Sequence, residues 1–143
     1  MRMTIFFAAL AALSSPAAAQ KPTPGQNDPS AYLRESGLAP DPERVRAAIE
    51  AAQASPLGSM ENPVRVGGPN GERGYIARLR CADGLAPRVG NRGNTGVGVF
   101  GTIVDVYPLD CGDAAPGRVN LVMDMYHPSH AETRAPSGFT LQR

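Results

Sequence analysis

Cys81 and Cys111 are the only cysteines among 143 residues, and the first residues of the chain decide how they are used. Met1, Arg2 and Met3 give a basic start, and residues 4–13 form an apolar run. That run is too short for a bilayer span, which needs about 20 residues. Ser14-Ser15-Pro16 then breaks it, and Ala17-Ala18-Ala19 places small side chains before a cut near Ala19. A basic start, an apolar middle and a small-residue exit are the parts of a secretory signal. The expected location is therefore the periplasm or the outside, where disulfides persist. One intramolecular Cys81–Cys111 bridge is expected, because each cysteine closes a strand-like run and adjacent strands bring sulfurs within reach. A redox-active pair would sit at C-x-x-C spacing, and this one does not.

Charge narrows the partners. The chain carries 14 Lys and Arg against 13 Asp and Glu, and removing Arg2 with the signal leaves an even balance. A nucleic-acid binder normally shows a basic excess, so none is expected. No other stretch reaches the length of a membrane span.

The organisation reads as a signal peptide over 1–19, a flexible linker over 20–40, a helix over 41–54 and a disulfide-bridged, β-rich domain over 57–143. The linker holds several prolines and little to bury, although residues 31–36 suit a short helical turn stopped by Gly37. Asp41 and Pro42 suit the cap and first position of a helix. Val45, Ala48, Ile49 and Ala52 then recur at helical spacing and form one narrow apolar stripe. From Gly58 onward, short β-like runs alternate with Gly, Pro and Asn. Residues 63–66, 74–81, 99–109, 118–126 and 138–141 read as strands, and Gly67-Gly68-Pro69-Asn70-Gly71 as a turn. The expected fold class is α+β or mainly β: a small antiparallel sheet of four to five short strands, one N-terminal helix and one disulfide.

Three groups of residues can carry chemistry. Asp124, His127 and His130 lie just after a strand, and carboxylate and neutral imidazole both ligate divalent metals. Pro128 stands between the histidines, so their spacing does not guarantee one face, and a polar turn explains the same residues. The glycine-rich segment 90–98 carries Arg92 and reads as a loop inside the disulfide ring; it lacks the Lys-Ser/Thr ending of a phosphate loop. Arg65, Arg73, Arg78, Arg80, Arg88 and Arg92 concentrate arginine in the middle of the chain. On a strand, Arg78 and Arg80 share one side, which can grip a carboxylate bidentately; the same arginines also read as a solvated face partnered by Asp83, Asp105 or Asp110. No paired-carboxylate site stands out.

Glu61-Asn62-Pro63-Val64-Arg65-Val66, Gly71-Glu72-Arg73-Gly74-Tyr75-Ile76-Ala77-Arg78-Leu79-Arg80-Cys81 and Met123-Asp124-Met125-Tyr126-His127-Pro128 together resemble an uncharacterised family of small secreted bacterial proteins. The resemblance covers about residues 57–141. It implies export and a compact disulfide-bearing domain, and it transfers no activity. Cys81-Ala82-Asp83-Gly84 also resembles a step in bacterial lysozyme inhibitors.

The functional expectation is a non-enzymatic module, without a resident cofactor, that binds an extracytoplasmic protein or an anionic ligand through Arg78, Arg80 and Arg92. One alternative is a divalent-metal protein or hydrolase using Asp124, His127 and His130. The other is an inhibitor of a cell-wall hydrolase.

Overall fold

The computed structural model describes residues 28–142. The signal reading over 1–19 and the first part of the linker fall outside these residues. The described residues form a mixed α+β fold of three helices, a five-stranded mixed sheet and a separate two-stranded sheet, closed by one disulfide.

Helix α1 spans Pro29–Glu35, inside the segment read as linker. The Asp28 carboxylate accepts from Ala31 N–H, and the helix stops at Gly37, whose φ of 70° suits a residue without Cβ. Helix α2 spans Pro42–Ala52, as the sequence predicts. Asp41 caps it by accepting from Arg44 N–H at 2.9 Å, and Pro42 occupies the first turn, where a missing N–H costs nothing.

The main sheet holds β1 (Val64–Arg65), β3 (Arg88–Val89), β4 (Gly93–Val97), β5 (Ile103–Asp110) and β6 (Arg118–Asp124). The order runs β1, β6, β5, and both β3 and β4 pair with β5 on its other side. All pairs are antiparallel except β1 with β6, which is parallel. The parallel pair requires a long crossover, and the connection carries helix α3. Strand β2 (Leu79–Arg80) pairs antiparallel with β7 (Thr140–Leu141) away from the main sheet.

The largest departure from the sequence reading is α3, Gly68–Arg78, which replaces both the turn at 67–71 and most of the strand at 74–81. Its buried residues are Gly68, Glu72, Tyr75 and Ile76, with Leu79 following. Those positions recur every three or four residues, which is helical spacing. A glutamate stands where the pattern needs an apolar residue, so the stripe was hidden. Pro69 begins the first turn, where proline is tolerated. Tyr75, Ile76 and Leu79 pack against Tyr107, Leu109, Leu121 and Met123 of β5 and β6 and form the core.

The segment 90–98, read as a loop, is mostly strand β4. Strand β5 begins at Ile103 rather than Val99, because Gly98 N–H donates to Thr102 at 2.7 Å and turns the chain there. The disulfide joins Cys81, after β2, to Cys111, after β5, with Cα atoms 5.8 Å apart.

Candidate functional site

Strands β3 and β4 are one edge strand interrupted by a bulge. Val89 faces Leu109 and Gly93 faces Val106, so Gly90, Asn91 and Arg92 stand opposite only Pro108 and Tyr107. The extra residue flips the strand's faces. Without it, Arg92 would oppose Val106 on the outer side; with it, Arg92 opposes Tyr107 and turns toward the core. A second irregularity follows, since Asn94 faces Asp105 and Val97 faces Ile103.

Under Arg92 lies a pair of buried acids. Glu72 of α3 is 0% exposed, and Asp105 of β5 is also buried. Tyr107 Oη donates to Glu72 Oε2 at 2.8 Å. Arg92 Nη1 donates to Asp105 Oδ2 at 3.3 Å and stands 3.7 Å from Glu72 Oε2. Glu72 Oε1 has no hydrogen-bond partner among the described residues. Burial is the main force on this carboxyl and pushes its pKa up to about 7. The Tyr107 hydrogen bond opposes the rise, while the charge of Asp105 and a hydrogen bond to it add to the rise. Nearby Arg92 pulls the other way more weakly. Burial, and then the bond to Glu72, push Tyr107 up to about 12. Tyr126, just beyond β6, is raised by burial and by the charges of Asp105, Asp124 and Glu72. The cluster is a carboxyl poised near neutrality, walled by phenols and roofed by one half-exposed arginine. Perturbed groups of this kind concentrate at functional sites, though structural networks produce them too.

The sequence-predicted arginines do not meet. Arg78 ends α3, and its guanidinium donates to the Glu132 carbonyl at 3.1 Å while lying over the Tyr75 ring. Arg80 donates to the carbonyls of Ala77 at 2.8 Å and Leu79 at 2.6 Å, and also bonds the Gln142 side chain. Arg80 therefore serves the carbonyls at the end of α3, a favourable place for cations, whereas Arg78 ties that helix to the segment around Glu132. Arg92 has different partners altogether.

The Asp124, His127 and His130 set is likewise split. Asp124 is fully buried; it accepts from the Thr102 hydroxyl and from Tyr126 N–H at 2.9 Å. His127 Nε2 is 3.6 Å from Asp124, and its ring stands edge-on to Phe100. His130 turns instead to Glu132, 3.6 Å away. Burial, and then the charge of Arg65, lower the His130 pKa. Burial pushes Glu132 up, but its bonds to Arg134 and to backbone N–H groups outweigh that and hold it at about 2. Among the described residues, no three His, Cys, Asp or Glu side chains are arranged to hold a metal ion.

Arg88, which the sequence places beside the glycine-rich segment, and Arg118, which the sequence reading did not single out, frame an open groove. Arg88 Nη2 and Arg118 Nε both donate to one oxygen of Asp110, at 3.0 and 3.2 Å. Gly112 N–H takes the other oxygen at 2.7 Å, and that bond, with the two arginines, holds the carboxyl below its usual range. The arginine side chains are 75% and 85% exposed. Between them a cavity of about 530 Å³ opens over Val89, Pro108 and Val119. The pairing of Arg88 and Arg118 across Asp110 depends on strand register, which the sequence alone does not display. No known protein family, curated protein or solved structure matches the chain.

Proposed function

We propose that this chain is a non-enzymatic binding domain working outside the cytoplasm, and that it takes the anionic group of its ligand between Arg88 and Arg118. The single observation carrying this reading is the sharing of one Asp110 oxygen by two exposed guanidinium groups at the mouth of the groove. Two positive charges face one negative charge, and each arginine keeps unused N–H donors for a second carboxylate. Arginine suits this task because its planar fork binds carboxylate or phosphate oxygens in pairs. Pro108, on the same face of the sheet as Arg88 and Arg118, gives the floor an apolar surface for the body of the ligand.

The extracytoplasmic placement is supported by the Cys81–Cys111 disulfide. Among the described residues no helix is long and apolar enough to cross a membrane. The arginine-lined surface expected from the sequence moves: Arg78 and Arg80 are engaged by backbone carbonyls, whereas Arg88 and Arg118 face outward.

Fluorescence anisotropy with labelled poly-glutamate tests the reading. The wild-type chain should bind with an affinity that falls as salt rises, and Arg88→Ala/Arg118→Ala should weaken binding at least about tenfold. Absence of binding, or equal binding by the double variant, rejects it.

A further inference from the structure

The groove and the acid pair sit on opposite faces of the same edge strand. Arg88 reaches Asp110 on the outer face, and Arg92, four residues later, reaches Asp105 and Glu72 on the core face. Between them is the bulge, and beyond it every residue of β4 is exposed. Bulges weaken the ladder where they occur. What fixes this edge from the core side is therefore Arg92 on the acid pair, with one guanidinium nitrogen serving both carboxylates at 3.3 and 3.7 Å.

We propose that the edge segment 90–97 is proton-controlled: it lies closed on β5 while Glu72 holds its proton, and it opens as that proton leaves, loosening Arg88 and weakening anion binding. As a statement about binding, this rests on the groove reading above.

Two effects compete when Glu72 ionises. The Arg92 charge favours the ionised pair most when the edge is closed, which would tighten it. Opening lets water reach the ionised carboxyl, which would favour the open form. Glu72 is fully buried with one oxygen unpartnered among the described residues, and its cation from the edge is a half-exposed arginine 3.7 Å away, so hydration outweighs the ion pair and opening wins. The unpartnered Oε1 is the atom that gains hydration on opening. The groups facing Glu72 are Asp105 and Tyr107 from β5, Arg92 from the edge itself and Tyr126 from beyond β6. The two tyrosines and Arg92 are all shifted upward, so they keep their protons through neutrality. Glu72 is the member that changes charge there. A group that binds its proton more tightly in the closed form must stabilise closure while protonated and release it when ionised.

Hydrogen exchange on the full chain without ligand tests the edge directly. After correction for intrinsic rates, protection of the amides of residues 93–97 should fall about tenfold between about pH 6 and pH 8 in wild type, and stay level in Glu72→Gln. The β6 amides should not follow. His130→Gln should keep the pH response, separating Glu72 from that histidine, and Glu72→Met, which also lacks a titrating group, is the second variant should Glu72→Gln fold poorly. Equal protection at the two pH values, or the same fall in Glu72→Gln, overturns the proposal. Poly-glutamate binding at the same pH values supplies the second arm, expected to weaken several-fold with rising pH in wild type alone. The expected exchange response without binding at either pH leaves the controlled edge standing and rejects the groove. Binding with a flat exchange response does the reverse.

Discussion

Arg92 donates to Asp105 across 3.3 Å although the two residues start on neighbouring strands whose simple register would keep them on opposite faces. One inserted residue in the edge strand makes the pair. Its consequence is an arginine that roofs a buried carboxyl, Glu72, instead of facing solvent beside Arg88.

Glu72 ties stability to pH. Its pKa rises from an ordinary value of 4.5 to about 7 in the folded chain. A raised folded pKa contributes stability that is complete below the unfolded value and is lost as pH rises through the folded one. The loss therefore runs from about pH 4.5 to just above pH 7 and amounts to something on the order of 3 kcal/mol. Glu72→Gln removes it. Thermal melts should show the variant more stable than wild type by roughly 10 °C at about pH 8.5 and little different near pH 4.5. The lowered pKa of His130 acts in the opposite sense, so the difference between the two proteins, not the wild-type slope, is the measurement. A difference that does not change with pH contradicts the assignment.

The disulfide closes a loop of 30 residues between Cys81 and Cys111. Chain-entropy reasoning assigns such a loop roughly 3–4 kcal/mol. Cys81→Ala/Cys111→Ala should lower Tm by roughly 10–20 °C, followed by circular dichroism. Asp110 immediately precedes Cys111, so poly-glutamate binding should weaken in the same variant even where the fold survives.

The disulfide and helix α2 were legible because their causes are local. Asp41-Pro42 marks a helix start whatever surrounds it, and two cysteines leave one intramolecular pairing. Helix α3 was not, because its stripe contains Glu72, a polar residue whose burial depends on Tyr107, Asp105 and Arg92 arriving from distant strands. Read without that cluster, Tyr75, Ala77, Leu79 and Cys81 give a strand-like alternation, and the glycines around Pro69 give a turn. The candidate site was hidden for the same reason. Its acids are apart in sequence, and the bulge that aims Arg92 appears only in the pairing register. The parallel β1–β6 pair is equally non-local.

Close approach explains one glycine and not another. A Cβ at Gly98 would overlap Val104 Cγ1, part of a fully buried side chain, whereas a Cβ at Gly93 meets nothing within 4 Å. Gly98→Ala should cost about 1–3 kcal/mol through overpacking. Gly93→Ala, on the same exposed strand, should be nearly neutral. Urea titration of both variants checks the contrast, and equal midpoints would show that the β4–β5 turn yields at no cost.

Asp124 should matter for stability without a metal. Its carboxylate is fully buried and held by the Thr102 hydroxyl, Tyr126 N–H and the nearby His127. Asp124→Ala strands those partners and should cost about 3 kcal/mol or more. His130 stands beside the buried Glu132, which keeps Arg134 when the imidazole is gone, so His130→Ala should cost less than Asp124→Ala. Zinc discriminates this arrangement from a metal centre. A ligand at 100 times its dissociation constant adds about 2.7 kcal/mol, enough to move Tm by several degrees. Because Asp124 and His127 are separated from His130 by their partners, stoichiometric zinc should leave Tm in place. A zinc-dependent rise that disappears in His127→Ala/His130→Ala would mean that the turn after β6 rearranges to gather its ligands, and would replace the structural role assigned to Asp124 with a metal-binding one.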